Sequence, residues 1–310
     1  MSRRSVLVIG PMFADLLVEG ASQMPRAGEE RYIDSYTVSP GGNAILALAF
    51  ARLGLHSALL TTIGDDFIGA ELRDSLETEG VDTSTLSVIE NQQSNISLIF
   101  HDASDRSFLT WVQPDLLVHE YASAVARRIA SDRYDHVHIC FEYLSHRWAR
   151  DLLKRLRRSG SGISTGLGYQ DSVSWNQESV EQAALVDWIF MNEEEARRIT
   201  GKRDVQDLLH ALREIVREPV VTLGREGSVA LSEEGETIRV PAVDVAVVNT
   251  TGSGDSFAAG FIYALLRKRS LMECVQTGGL FGSMTASVKE SISPRIGPEL
   301  AERLEDYYGS

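Results

Sequence analysis

The chain has 310 residues, of which 43% are hydrophobic and 24% are charged, and its formal net charge is −14. This length can bury a substantial core in one large domain or two unequal lobes, and the composition is that of an ordinary globular protein. The acidic balance argues against a nucleic-acid partner, because phosphate contacts need clustered lysine and arginine. An anionic nucleotide would need a local positive field, which a helix N-terminus supplies, or a metal ion.

The chain contains only two cysteines, Cys140 and Cys274. Two cysteines make neither a disulfide framework nor a zinc site, which favours a reducing compartment. The N-terminus before the first apolar run is too short for a signal peptide, and no apolar run approaches the ~20 residues of a membrane span. We therefore expect a soluble cytoplasmic protein that has no membrane partner.

Strand and helix patterns alternate along most of the chain, which predicts a mostly parallel sheet covered by helices on both faces. The first strand, residues 5–10, is not followed by a dinucleotide-binding glycine fingerprint, which disfavours NAD. The sequence also contains no Walker A motif. Strand patterns in residues 16–38, and in a hairpin over about 95–112, fall outside the alternation and predict a small β lid. Further sheet strands are predicted at 57–63, 136–143, 162–168, 185–191 and 219–223, with a hairpin joining 228–231 to 237–240.

The chain is organised around residues 243–261, where an apolar run resembling a strand (243–248) breaks into small residues before a helix that begins at Gly254 or Asp255. At such a junction backbone N–H groups converge at the positive end of the helix dipole and can hold an anion such as phosphate. A carboxylate is unusual at an anion site, which suggests that Asp255 has a separate role as a base. A substrate hydroxyl would lose its proton to Asp255 while the amides of Gly252, Ser253 and Gly254 stabilise a transferring phosphoryl group. The alternative is that Asp255 merely caps the helix, and this stretch alone favours neither interpretation.

Two motifs carry a resemblance to a known family: residues 41–44 (Gly-Gly-Asn-Ala) continuing to 51–54, and residues 249–257 (Asn-Thr-Thr-Gly-Ser-Gly-Asp-Ser-Phe). Supporting pieces follow in order at Gly10 with Asp15, 64–69, 80–83, 192–195, and 222–224 with Gly227. Together they resemble the ribokinase-like sugar and nucleoside kinases, the PfkB carbohydrate kinase family, over nearly the whole chain. The resemblance implies a ribokinase-like three-layer α/β/α fold, with residues 1–310 as a single kinase domain and a small lid.

The same resemblance implies that Asp255 is the catalytic base and that the amides from Gly252 to Asp255 form the anion hole. It also implies that Asp15, Gly41, Gly42 and Asn43 bind the phosphoryl acceptor. This is chemically sensible, because a carboxylate accepts from two hydroxyls and bare glycines admit a sugar edge closely. The alternative for residues 41–43 is a plain loop and helix cap.

For the nucleotide, the resemblance implies that Asn192 and Glu195 serve the phosphates and the metal, with Glu195 contacting Mg²⁺ through water. Their alternative is a solvated acidic helix start. Thr222, Gly224 and Gly227 would line the nucleotide, and their alternative is an ordinary β-turn.

Two departures from the family pattern matter. Members that use a monovalent cation often carry Asp where this chain has Asn249, which puts activation by K⁺ in doubt. Residues 289–294 stand where the family often has a Gly-Ala pair, so the adenine and cation loop is expected to be built differently.

The resulting hypothesis is an ATP-dependent, ribokinase- or fructokinase-like enzyme that uses Mg²⁺ and phosphorylates a hydroxyl of a small sugar. The alternatives are a nucleoside kinase on the same fold and a non-catalytic sugar-binding sensor, although a pure binder has no need for the Asp255 base. Phe108 and Trp111 on the hairpin could stack on a substrate ring or pack the lid against the body. A homodimer through exposed lid edges is also expected.

Overall fold

The computed structural model describes residues 4–20, 25–101, 106–113, 129, 134–168, 174–300 and 303–304. The strands are β1 (Ser5–Ile9), β2 (Met12–Glu19), β3 (Ser35–Gly42), β4 (His56–Leu60), β5 (Thr62–Gly64), β6 (Ser87–Ile89), β7 (Ile96–His101), β8 (Arg106–Trp111), β9 (His136–Cys140), β10 (Gly162–Gly166), β11 (Trp188–Asn192), β12 (Glu218–Thr222), β13 (Ser228–Leu231) and β14 (Thr237–Val240). The helices are α1 (Asn43–Arg52), α2 (Phe67–Thr78), α3 (Arg147–Arg158), α4 (Gln177–Ala183), α5 (Glu193–Thr200), α6 (Val205–Arg213), α7 (Ser253–Leu266) and α8 (Leu271–Ala286).

The body of the protein is an eight-stranded sheet in the order β14-β13-β12-β11-β10-β9-β1-β4. The strands from β12 to β4 in this order pair in parallel. Strand β13 runs antiparallel to β12, and β14, which pairs antiparallel with β13, returns to the direction of the parallel strands. The carboxyl ends of the parallel strands therefore meet at one edge, which is where ligands bind in open α/β sheets.

Both faces of this sheet are buried, and strand β1 illustrates why. Successive side chains of a strand point to opposite faces. Val6 and Val8 pack into one core, with side chains of α1, α2, α7 and α8. Leu7 and Ile9 pack into a second core, with side chains of α3, α4, α5 and α6. The predicted three-layer α/β/α fold with a mostly parallel sheet is confirmed.

A separate four-stranded sheet in the order β3-β2-β7-β8 forms the lid. Its first strand begins at Met12, earlier than the predicted Leu16, so that Asp15 lies inside the lid rather than before it. Pairing is in register at this residue, since Asp15 is the partner of Ser39 on one side and of Ser97 on the other. Residues 21–24 and the hairpin tip, residues 102–105, lie outside the described part of the chain.

The expected strand over residues 243–248 is wrong. Residues 241–250 have no regular secondary structure, and Val247 and Val248 are about half exposed. Pro241 follows β14 and lacks the N–H that would continue a ladder. The segment instead crosses the end of α8, where Val248 and Asn249 both donate their N–H groups to the Ala286 carbonyl. The valines have strand propensity, but the backbone at the end of this segment bonds to the end of α8 instead of to a strand.

In the described residues, no helix combines the length and apolar character that crossing a bilayer requires.

Candidate active site

Helix α7 begins with a backbone conformation that only glycine adopts easily. Gly252 is the N-cap residue, with φ of 70° and no capping hydrogen bond from a side chain. A side chain at this position would also collide with the Ser291 carbonyl oxygen. Gly252 is therefore required for two reasons, the left-handed turn and the close approach of the 291 segment.

Amide groups are exposed at the start of α7, as expected at a helix N-terminus. Among the described residues, none accepts a hydrogen bond from the N–H of Gly252 or Gly254, and a Cβ built on Gly254 would meet only open space. Ser253 differs from the prediction, because its N–H donates to the Thr250 carbonyl at 3.2 Å. The amides open to an anion in this conformation are those of Gly252 and Gly254.

Asp255 lies in the first turn of α7 and lines a cavity at the N-terminus of this helix. Because Gly252 is the N-cap, the structure does not support the alternative that Asp255 caps the helix. The side chain keeps some contact with solvent, yet the surrounding protein raises the pKa of its carboxyl to about 6, against a smaller lowering by its own backbone N–H. The carboxyl is thus ionised at neutral pH and basic enough to accept a proton.

Asp15 reaches the same cavity from strand β2 of the lid. Its side chain is 7% exposed, and among the described residues none donates a hydrogen bond to it. Burial, and next the charge of Asp255, raise the pKa of this carboxyl to about 7. A buried carboxyl with no protein donor is costly, which indicates a site that hydroxyl groups of a ligand would complete.

The cavity that holds both carboxyls has a volume of about 210 Å³, and we call it the first cavity. Its wall combines the lid, the start of α1 and the start of α7. The lining residues are Phe13, Asp15, Gly42, Ile45, Ser97, Phe108, Thr110, Thr251, Gly252 and Asp255.

The Gly-Gly-Asn motif contributes to this cavity unequally. Gly42 lines it with φ of 61°, and a side chain there would come within 2.7 Å of the Pro11 carbonyl oxygen. Gly41 lies against the Asp15 carboxyl, and a Cβ at position 41 would occupy the space that this carboxyl fills. The Asn43 side chain packs over Gly10 and is not among the residues that line the cavity. Of the alternative given for these residues, the plain loop is absent, because Gly41 and Gly42 end strand β3, whereas the helix cap is present, because Gly42 is the N-cap residue of α1.

A second cavity of about 240 Å³ adjoins the first and shares Asp15 and Thr251 with it. It lies between the inner face of the lid and the segments that flank α7 and α8. The lining residues are Asp15, Leu17, Glu19, Thr37, Ser39, Ile99, Asn249, Thr251, Lys289, Glu290 and Ser291.

Sequence reasoning missed several of these residues. Ser97 and Thr110 line the first cavity, share a hydrogen bond at 2.8 Å and sit opposite each other on β7 and β8. The alternating pattern of these strands could have indicated which side chains share a face, but not that the face covers α7. Of the two hairpin aromatics considered, Phe108 lines the first cavity and Trp111 lines neither cavity.

Asn249 ties together the backbone that leads into α7. The side chain is 4% exposed, its Nδ2 donates to the Lys289 carbonyl at 2.5 Å, and its Oδ1 accepts from the Thr251 N–H at 2.9 Å. Both ends of the amide are therefore used within the protein.

The residues predicted for the nucleotide lie at the carboxyl ends of β11 and β12. Asn192 and Glu195 cap each other at the start of α5, since each side chain accepts from the other's backbone N–H, at 2.9 and 2.8 Å. Thr222 is the parallel partner of Asn192. Gly224 begins a short 3₁₀ turn closed by the Gly227 N–H donating to the Gly224 carbonyl, so the turn named as the alternative is present. Gly227 follows with φ of 95°, close to the Val240 carbonyl. None of these five residues lines either cavity.

Contacts between aromatic rings connect this nucleotide group to α7. Phe190, two residues before Asn192, packs edge-on against Phe257, two residues after Asp255, with ring centroids 6.3 Å apart. The two groups of residues are thus held at the same edge of the sheet by one shared core.

Comparison with known proteins places the chain in a family. The family model described as pfkB family carbohydrate kinase matches residues 3–296. A nucleoside kinase from Methanothermobacter thermautotrophicus is 30% identical over 290 residues, covering 92% of this chain and 88% of that protein. An aminoimidazole riboside kinase from Salmonella typhimurium is 26% identical over 307 residues, covering 93% of this chain and 91% of that protein.

Among solved structures, Arabidopsis thaliana ribokinase complexed with ribose and ATP has a TM-score of 0.78 and 20% identity, covering 97% of this chain and 98% of that one. At this identity the structural likeness speaks for the fold, whereas the family match spans nearly the whole sequence. The chain is therefore a member of the pfkB carbohydrate kinase family, a phosphotransferase that acts on a hydroxyl acceptor.

Proposed function

We propose that this kinase transfers the γ-phosphoryl group of ATP to a hydroxyl of a small sugar or of a sugar ring within a larger acceptor. The observation that carries the proposal is that the Asp255 and Asp15 carboxyls face one cavity at the open N-terminus of α7. One carboxyl serves as base, the other holds the acceptor, and the helix end receives the anion.

In the proposed reaction the Asp255 carboxylate accepts the proton of the acceptor hydroxyl as its oxygen bonds to the γ-phosphorus. The bond from that phosphorus to the bridging oxygen breaks, and ADP leaves. The N–H groups of Gly252 and Gly254 face the charge that spreads over the transferring group. Asp15 accepts hydrogen bonds from other hydroxyl groups of the substrate. These bonds hold the sugar ring in the orientation that the attack on phosphorus requires.

The residues present are compatible with a nucleotide that brings its own metal ion. Among the described residues there is no cluster of three or more acidic, histidine or cysteine side chains that could hold a metal. Mg²⁺ usually keeps several waters and is bound through one or two carboxylates and the substrate phosphates, and it would supply charge neutralisation. Glu195 is the proposed protein contact, through water, and Asn192, Thr222, Gly224 and Gly227 are the proposed nucleotide contacts.

A second copy of the chain is the proposed partner of the lid. Paired neighbours across the four lid strands form a continuous apolar row on its outer face: Val38, Leu16, Leu98 and Leu109. Val38 and Leu109 are about half exposed, and an apolar sheet face of this kind favours association. Sedimentation equilibrium tests this, since a monomer at micromolar concentration would contradict it and a dimer that Leu109→Asp dissociates would support it.

The central experiment is the Asp255→Asn substitution, with coupled ADP release measured across free sugars and nucleosides. Removal of a general base typically costs about 10²–10⁴-fold in turnover, and acceptor binding by calorimetry should persist. The matched control is Asp244→Asn, an exposed carboxylate on the loop before α7. Full turnover by Asp255→Asn would refute the base, and binding without turnover by the wild-type protein would favour a sugar sensor.

A further inference from the structure

The second cavity has no part in the proposed phosphoryl transfer. It adjoins the first through Asp15 and Thr251, and its volume of about 240 Å³ is similar to that of the first. Pockets for ligands of drug size measure roughly 300–1,000 Å³, so each cavity alone falls below this range while the joined space falls within it. The space is therefore larger than one small sugar needs.

The floor of the joined space is continuous because it is one face of the lid. Asp15, Leu17 and Glu19 alternate along β2 and point to the same side. Their partners on β3, Ser39 and Thr37, widen this floor next to Asp15 and Leu17. A ligand anchored at Asp15 can extend along the strand without leaving the lid.

Among the residues that line the second cavity, carboxylates outnumber cationic side chains. Glu290 supplies an exposed carboxylate. Glu19 and Lys289 already pair with each other at 2.8 Å, and Glu19 also accepts from the Ser35 hydroxyl. The Asn249 Nδ2 uses one of its two hydrogens on the Lys289 carbonyl, and its Oδ1 accepts from the Thr251 N–H.

The charges that line the two cavities restrict the class of ligand further. The two cavities together are lined by the carboxyls of Asp15, Asp255, Glu19 and Glu290, with Lys289 as the one cationic side chain among the lining residues. An acceptor that already carries a phosphate would meet repulsion here. An uncharged group with N–H or NH₂ donors would find partners.

We propose that the acceptor spans both cavities, with a sugar ring beside Asp255 and a second, uncharged ring bearing N–H or NH₂ donors in the second cavity, as in a nucleoside. This inference rests on the proposed kinase function and names its substrate class. It excludes an already phosphorylated sugar as the preferred acceptor.

The test compares kcat/KM for adenosine, guanosine and cytidine with the values for D-ribose and D-fructose 6-phosphate. At least one nucleoside should exceed D-ribose by tenfold or more, and the phosphorylated sugar should be the poorest acceptor. The variant Thr37→Trp places a bulky side chain in the second cavity from an exposed position on an edge strand. It should lower kcat/KM for the nucleoside tenfold or more, and that for ribose far less.

The matched control is Tyr36→Trp, the neighbouring residue on the same strand, whose side chain points to the opposite face and is 66% exposed. It should leave the nucleoside-to-ribose ratio unchanged. Calorimetry with nucleoside or ribose in the absence of ATP measures binding to the cavities separately from phosphoryl transfer. If nothing is phosphorylated but Thr37→Trp selectively weakens nucleoside binding, the proposed function fails and the inference stands. If ribose or the phosphorylated sugar is preferred, or Thr37→Trp affects both acceptors equally, the inference fails.

Discussion

The carboxyl group of Asp15 occupies the space that a side chain on Gly41 would need. A Cβ built on Gly41 collides with the Cγ and both oxygens of Asp15, although Gly41 itself does not line the first cavity. Gly41 therefore affects the first cavity indirectly, by leaving room for the Asp15 carboxylate. It lets a lid strand place a buried carboxylate in the wall of the first cavity.

We expect Gly41→Ala to displace the Asp15 carboxyl and to raise KM for the acceptor about tenfold or more, with a smaller change in kcat. Overpacking of this kind costs roughly 1–3 kcal/mol of stability, which urea unfolding would measure alongside the kinetics. The matched control is Gly279→Ala inside helix α8, where a Cβ meets no atom within 4 Å and φ is not positive. That change should leave KM unaltered and be neutral or stabilising by about 0.5–1 kcal/mol. Equal KM values for the two variants would contradict the role of Gly41.

We expect kcat/KM to fall as the pH is lowered through about 7 to 6. Burial raises the pKa of Asp255 to about 6, and burial together with the Asp255 charge raises that of Asp15 to about 7. Protonated Asp255 cannot accept the hydroxyl proton, so the rate should drop about tenfold per pH unit below this window. Phosphate monoesters also titrate at about pH 6, so the nucleotide itself contributes to the pH dependence of the rate. Acceptor binding is therefore followed without ATP in parallel, and a flat rate profile down to pH 5 would speak against both carboxyls.

We expect Asp15→Asn to stabilise the folded protein at pH 8. The pKa of Asp15 is raised from 3.8 to about 7, so its ionisation is penalised in the folded state and the wild-type protein loses stability as the pH rises through this window. A tenfold weaker acid in the folded state corresponds to about 1.4 kcal/mol, which places the gain in unfolding free energy on the order of 1–4 kcal/mol. The gain should shrink as the pH falls from 7 and vanish near 4. Urea unfolding at pH 4, 6 and 8 checks the sign, and the exposed control Asp244→Asn should show no such trend.

We expect activity without added K⁺. The Asn249 Nδ2 already donates to the Lys289 carbonyl, and an amide brings less charge to a cation than the aspartate that cation-using members often carry at this position. Turnover in tetramethylammonium chloride should match that in KCl at equal ionic strength within about twofold. The variant Asn249→Asp puts a carboxylate against the same carbonyl, which should lower kcat in tetramethylammonium chloride and make K⁺ stimulatory. Several-fold activation of the wild-type protein by K⁺ would overturn this expectation.

Much of the fold was predictable because burial on two faces leaves a continuous apolar pattern, as in Val6 to Ile9. The hairpin joining residues 228–231 to 237–240 was predicted with the bounds that the structure has. The strand predicted at 243–248 failed because strand propensity is realised only where the backbone pairs with another strand. The segment instead follows Pro241 and bonds to the end of α8, which no pattern in these valines records. Likewise, the Ser253 amide was predicted to be open, but a local turn to Thr250 uses it.

The amino-acid sequence by itself determined the family, the alternation of strands and helices, and the identity of the groups that could carry the chemistry, because glycines and carboxylates in a fixed order are local features. The resemblance implied that Asp15 and Asp255 serve the same acceptor, whereas the tertiary structure alone decided that Gly41 makes room for the Asp15 carboxyl and that a second cavity adjoins the first. These relationships depend on how a lid sheet is placed over a helix end. That placement results from packing between segments distant along the chain, which no local pattern encodes.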